Sequence, residues 1–204
     1  DYQDAEVIDL DEDAYRAGDI KTHLYRYLRI PDEKQWTQNT KSPSLPSERA
    51  MAYEIATEVI RQMEKDTLYI LGPGTTTQAI TSRLGIEKTL LGVDVLLNQH
   101  LLLRDANESQ LIDILRKHPQ SKIIITPTGG QGYLFGRGNQ QISPKVIREV
   151  GIGNILVVST INKILSLRES PLNIDTGDAN LDQSLRGYSL VIVGKNQRIV
   201  YRVN

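Results

Sequence analysis

The chain has no cysteine among its 204 residues. That absence removes disulfides, thiolate metal sites and thiol nucleophiles together, and it fits a cytoplasmic setting, where disulfides are rare. Large aromatics are scarce, with one Trp and one Phe beside nine Tyr. No apolar run reaches the roughly 18 residues that a membrane span needs, and no secretory leader is visible. Neither sign of charge dominates, because the formal net charge is −1; nothing invites nucleic acid or an anionic membrane surface. His23, His100 and His118 share no ligand spacing, which argues against a histidine metal site. What these absences leave is a small-molecule protein built on one main domain, with or without an appendage. A start at Asp1 without Met points to trimming, or to a piece of something longer.

The residues present fall into alternating strands and helices. Residues 1–46 form an N-terminal segment: eight acidic side chains lie in residues 1–20. Ala5–Leu10 alternates like a short half-exposed strand, and Asp11-Glu12-Asp13 suits the opening of a helix. A partly apolar stretch around Tyr25, Tyr27 and Leu28 stops at Pro31. From Asp32 to Pro46 the chain is polar and reads as an extended arm with Trp36 as its large anchor. Residues 47–204 then form the main domain. Ser47–Lys65 is a helix with Met51, Ile55, Val59 and Met63 on one stripe. Leu68–Leu71, Thr89–Leu97, Ile123–Ile125 and Asn154–Val158 are buried strands, and helices stand at Gln78–Leu84, Asn107–Lys117, Lys145–Val150 and from Thr160 to Leu167. A short helix at Leu181–Leu185 precedes strands Tyr188–Val193 and Arg198–Val203, joined as a hairpin through residues 194–197. The fold class is α/β: a mostly parallel sheet with flanking helices, ending in an antiparallel hairpin, with an extended N-terminal arm.

Chemistry gathers in the loops. Leu68–Leu71 runs into Gly72-Pro73-Gly74-Thr75-Thr76-Thr77 and then a helix, the order in which backbone amides and a helix dipole accept a phosphate. Gly72, Gly74, Thr75, Thr76 and Thr77 are therefore candidate phosphate-binding residues. A tight turn with a Thr cap reads the same residues without a ligand, since the lysine of a P-loop and the third glycine of a dinucleotide fingerprint are missing. Asp94 intrudes on an apolar run, where a carboxylate needs a partner; it faces a ligand or caps a loop. The stretch from Thr126 to Asn139 is too long and glycine-rich for a plain connector. Asp175 and Asp178 flank a Thr-Gly turn, a spacing suited to a ligand hydroxyl or to hydrated magnesium, or simply to an Asx turn and a helix cap. All these segments sit beside strand ends, where open α/β sheets bind ligands. A single small-molecule pocket follows.

The motifs LGPGTTT (71–77), LLGVDV (90–95), ITPTGGQGYLFGRGNQQISP (125–144), DTGD (175–178) and LRGYSLVIVG (185–194) resemble the ATP-NAD kinase family, and within it the branch of AcoX-type proteins. Thr126-Pro127-Thr128-Gly129 and Tyr133 match the family's nucleotide-pocket segment position for position. The resemblance implies NAD and ATP with magnesium as ligands and the phosphorylation of NAD to NADP. It implies nucleotide-binding roles for Thr126, Thr128, Gly129 and Tyr133; Gly130, Arg137 (suited to meet a phosphate) and Asn139 (whose amide can instead satisfy the loop backbone) join them as candidates, with Asp94, Asp175 and Asp178 as further ones. Asn98 stands where the family's second motif has its Asn, though Gln99 replaces the acidic neighbour. The GGDGT motif, which supplies the phosphate-donor site and catalytic aspartate, is nowhere in these residues. By that resemblance the chain is the C-terminal region of a longer kinase-like protein, inactive alone and expected to form a homo-oligomer. No catalytic residue is assigned, and no metal ligand.

Two other classes stay open. The Leu71–Thr77 loop with Asp94 downstream also looks like the phosphate loop of ribose-5-phosphate isomerase-type folds. Asp94 would then be the base, beside a cation. A non-catalytic ligand-sensing or oligomerisation domain is the third reading.

Overall fold

Runs of β-branched and leucine residues too short to be helices pair into one sheet, because each is apolar on both faces. The computed structural model describes residues 2–11, 14, 22–31 and 46–204. Glu12, Asp13 and the polar arm around Trp36 lie outside the described residues. The chain divides into two units, residues 1–43 and 44–204.

The first unit is a hairpin. Strand β1 (Tyr2–Leu10) pairs antiparallel with β2 (Thr22–Pro31), with a register shift between Val7 and Ile8. The strand expected over Ala5–Leu10 is present but starts earlier, at Tyr2, and its partner is the segment around Tyr25 and Tyr27. Tyr2, Tyr25 and Tyr27 stay exposed, and Arg29 lies over the Tyr2 ring.

The second unit is a sheet of seven strands in the order β11-β10-β8-β6-β3-β4-β5. The strands are β3 (Leu68–Leu71), β4 (Asp94–Leu97), β5 (His100–Leu103), β6 (Ser121–Ile125), β8 (Ile155–Val158), β10 (Gly187–Gly194) and β11 (Gln197–Val203). Four central strands, β10, β8, β6 and β3, run parallel. The edges are antiparallel: β11 on β10, and β4 then β5 beyond β3. The C-terminal hairpin is as expected; β5 is an addition. It is a short edge strand of alternating exposure, and its run of three leucines, Leu101–Leu103, is too short to announce a strand by itself. The expected strand from Thr89 to Leu97 is cut to its last four residues, and Thr89–Val93 is a loop.

Helices cover both faces. Against one face pack Ile55, Ala56 and Val59 of α1 (Pro46–Arg61) and Ile80 of α2 (Thr75–Arg83), meeting Tyr69, Leu71, Leu96, Ile124 and Val158. Against the other pack Leu111 and Leu115 of α3 (Glu108–Leu115), Val146, Ile147 and Val150 of α4 (Pro144–Val150) and Ile164 of α5 (Ile161–Ser166), meeting Leu68, Ile70, Ile123, Ile125 and Val157. The alternation of Leu68, Ile70 with Tyr69, Leu71 between the two cores is the strand period made visible. Asn107 and Gln110 close a capping box on α3, and Ser143 with Pro144 starts α4 as their residue types predict.

One topological fact positions everything that follows. After β3 the chain crosses to one side, through α2 to β4 and β5; β6 then returns on the other side of β3. The carboxyl ends of β3 and β6 therefore flank a switch point, the place in open α/β sheets where a crevice forms.

Candidate functional site

Leu71 ends β3 and Ile124 lies beside it in β6, so Gly72 and Thr126 leave the sheet as neighbours. The Gly72 amide donates to the Ile124 carbonyl at 2.9 Å. Gly74 is the N-cap of α2 with φ 123 and ψ 162, a conformation open in practice only to glycine. A Cβ on Gly74 would stand 2.6 Å from the Thr126 methyl. The two loops touch here.

Helix α2 begins at Thr75, three positions before the predicted start, so the three threonines form its first turn. No side chain caps it, and the first amide bonded along it is that of Gln78, to the Gly74 carbonyl at 3.0 Å. The amides of the threonine turn are left for water or a ligand, at the positive end of the dipole. The threonines divide in role. Thr77 is fully buried and shares its hydroxyl between the Gly72 and Gly74 carbonyls, at 2.7 and 2.9 Å. It braces the loop, Thr76 is buried beside it, and Thr75 is exposed.

Thr126 is 2% exposed, and its hydroxyl is the one buried side-chain polar atom among the described residues without a hydrogen-bond partner. Such orphans are rare in folded proteins and call for an explanation. Beyond it, Thr128 and Tyr133 exchange backbone hydrogen bonds at 2.7 and 3.1 Å across a turn at Gly129–Gly132. Gly129 and Gly130 have open space around them. The loop is not structureless, since β7 (Tyr133–Phe135) pairs parallel with β9 (Asn173–Ile174). This three-residue strand is too short and too polar in its setting to be read from periodicity. The Arg137 guanidinium lies 4.4 Å from the centre of the Tyr133 ring, and Asn139 is buried with both ends used: Oδ1 accepts from the Gly136 amide and Nδ2 donates to the Leu134 carbonyl. Asn139 braces the loop and presents nothing to a ligand.

Asp94, at the start of β4, is brought to the same sheet edge because β4 is antiparallel to β3, pairing it with Leu71. It is fully buried. Its carboxylate accepts from the Thr89 amide (2.8 Å), the Thr89 hydroxyl (2.9 Å) and the Asp105 amide (2.7 Å). Of the two roles open to it, loop capping is the one its contacts fill. Lys88, missed in the sequence, lies 4.0 Å away with its side chain fully buried. Burial pushes the Lys88 ammonium down to about 8 while Asp94, then Asp105, oppose the shift. The signal was Asp94 itself: a carboxylate inside an apolar run demands a cation.

The remaining candidates lie apart from the switch point. Asp178 caps α6 (Ala179–Leu185) through the Leu181 amide and meets Arg148 at 2.6 Å; the Leu181 amide, then Arg148, hold its carboxyl below its ordinary value. Asp175 is exposed, and its carbonyl crowds Gly136. Asn98 sits in the β4–β5 turn and pairs with Asp66, at the sheet edge opposite the switch point. A cavity of about 680 Å³ opens elsewhere, beside Arg49, Tyr53, Ile161 and Lys195, and contains none of the residues predicted to bind.

Residues 64–203 match the family model of the ATP-NAD kinase C-terminal domain. The chain belongs to the ATP-NAD kinase family. No curated protein and no solved structure matched it. Membership makes a small-molecule nucleotide the general class of ligand. In this member of the ATP-NAD kinase family, the matched region contains the switch point, the glycine-rich loop and both antiparallel edges. Among the described residues no group of three or more His, Asp or Glu is placed to hold a metal ion. No helix described is long and apolar enough to cross a membrane.

Proposed function

We propose that residues 44–204 contribute the NAD pocket of an AcoX-type ATP-NAD kinase, with a phosphate group of the nucleotide seated at the β3–β6 switch point. The observation that carries this reading is the unpartnered Thr126 hydroxyl, buried against Gly74 at the start of an uncapped helix. A phosphate oxygen there would satisfy a donor whose burial otherwise costs about 1–3 kcal/mol. Amides of the Thr75–Thr77 turn would add the neutralising dipole. Tyr133 and Arg137, stacked together at the far end of the same loop, would meet the nucleoside. Thr128, Gly129 and Gly130 would shape the passage between.

In the whole reaction the γ-phosphoryl group of ATP passes to the 2′-hydroxyl of the adenosine ribose of NAD. The oxygen–phosphorus bond to ADP breaks as the new one forms, and the hydroxyl proton leaves to a base. By the resemblance the donor site and catalytic aspartate belong to a GGDGT segment that these residues lack, so the chain alone would bind nucleotide weakly and not turn it over. The isomerase reading is not favoured, because Asp94 is buried and already accepts three hydrogen bonds.

Thermal unfolding of the 204-residue chain with NAD, ATP and ribose 5-phosphate tests this. NAD should raise the melting temperature in a concentration-dependent way. A rise with ribose 5-phosphate and none with either nucleotide would overturn the reading.

A further inference from the structure

We infer that Lys88 and Asp94 are positioning residues: they knot residues 88–94 into the shape that holds Gly74, and through it the anion-accepting end of α2. The inference rests on the reading above for its ligand, but its geometry stands separately. The Lys88 ammonium donates to the carbonyls of Thr89 (2.8 Å) and Gly92 (3.0 Å), drawing the two ends of the segment together. Asp94 closes the other side by holding the Thr89 amide and hydroxyl. Gly92 is packed so tightly within the knot that a Cβ would stand 2.3 Å from both the Asp105 carboxylate and the Thr89 hydroxyl.

Two carbonyls of this knot have partners elsewhere: Val93 accepts from the Ala106 amide at 2.7 Å, and the other reaches the phosphate loop. Leu90 accepts from the Gly74 amide at 2.9 Å. A residue held in a glycine-only conformation persists only where its surroundings over-determine it. For Gly74 those surroundings are the Leu90 carbonyl on one side and the Thr126 methyl on the other. Stability alone does not require a buried ion pair, since apolar replacements are often neutral or better. The ammonium ties the Thr89 and Gly92 carbonyls and the carboxylate ties the Thr89 amide and hydroxyl, and Leu90, between the tied residues, aims the phosphate loop. The titratable groups facing the ammonium are Asp94 and Asp105.

The test uses the 204-residue chain, sulfate as the anion probe, and amide signals observed by NMR. In Lys88→Met, exchange of the Gly74 amide should quicken about tenfold or more while Ile70 and Ile124 keep their protection. Sulfate-induced shifts of the Thr75 and Thr76 amides should need at least about fivefold more sulfate. Should that variant fail to fold, a pH series on the unaltered chain decides. The charge of sulfate is constant over the range, so its affinity should fall in step with the Lys88 Cε signal as the ammonium loses its proton. Unchanged Gly74 exchange and sulfate affinity in folded Lys88→Met would overturn the inference. So would an affinity that stays level through the Lys88 titration, or an unaltered chain that takes no sulfate. Sulfate binding without any response to NAD would sink only the nucleotide reading.

Discussion

Thr126 sets its methyl so close to Gly74 that any side chain at Gly74 would collide with it, while the hydroxyl on the same Thr126 finds no partner. The side chain thus serves packing with one arm and leaves the other for a ligand. Thr126→Val keeps the packing and removes the orphan. Stability should hold or rise by about 1 kcal/mol, since burying an unpaired hydroxyl is the costly state. Affinity for NAD should fall about tenfold, the loss of one hydrogen bond to a charged group. Melting curves and NAD titration of the two proteins check both halves. A destabilised variant with full affinity would show that the hydroxyl serves the fold instead.

Gly74→Ala should be worse for the protein. The added Cβ meets the Thr126 methyl at 2.6 Å in a backbone conformation with φ 123, and each problem alone costs of order 1–3 kcal/mol. Denaturant unfolding should show a loss of at least about 2 kcal/mol. Sulfate shifts at Thr75 should vanish with it. A near-neutral variant would mean that the loop relaxes freely and that Gly74 is not held.

The central parallel strands and the helices over them were legible because each is a short apolar run or a 3.6-residue stripe, and Ser143-Pro144 carries the residue types of a helix start. Gly72–Gly74 and Thr126 were legible as loops after strands, and the switch point that joins them follows from strand order, which periodicity does not carry. Asp94 was visible as an anomaly, but its partner was not. Lys88 lies in a stretch read as the approach to a strand, and only the turn at Gly92 folds its ammonium back toward the carboxylate. Strands β5, β7 and β9 escaped because they are short and lie at edges, where tertiary pairing, not local pattern, decides the conformation. Asn139 and Asp178 each carry a pocket reading and a plainer structural one, a brace for the loop backbone and a helix cap, and the structure fills the plainer one in both. The Gly136 amide and Leu134 carbonyl hold Asn139, and the Leu181 amide with Arg148 holds Asp178.

The Lys88 ammonium sets a pH dependence of definite sign. Burial lowers it from 10.5 to about 8, so the folded protein gives up this proton before the unfolded chain does. Below about 8 both states carry the charge and the folded state bears the full cost of burying it. Between about 8 and 10.5 the unfolded state binds more protons, and stability rises with pH. A shift of that size corresponds to about 3 kcal/mol. Urea unfolding across this window should show the rise over the background of other groups, and Lys88→Met should flatten it. A slope that survives the substitution would assign the effect elsewhere.

Gly136 and Gly130 make a matched pair on one loop. A Cβ on Gly136 would stand 1.6 Å from the Asp175 carbonyl oxygen, and its φ is 88; Gly130 has neither a neighbour within 4 Å nor a positive φ. Close backbone approach at Gly136 is what lets β7 lie against β9, with the Asp175 amide donating to the Phe135 carbonyl. Gly136→Ala should therefore part this small sheet and cost at least about 2 kcal/mol, whereas Gly130→Ala should stay within about 0.5 kcal/mol. Hydrogen exchange should locate the damage: amides of Tyr133 and Asp175 lose protection while Ile124 and Val158 keep theirs. NAD affinity should drop with Gly136→Ala, because Tyr133 lies on the displaced strand and Arg137 follows it just beyond Gly136. If affinity survives with β7 and β9 parted, the nucleotide is held at the switch point alone, and the Tyr133–Arg137 end of the loop has no part in binding it.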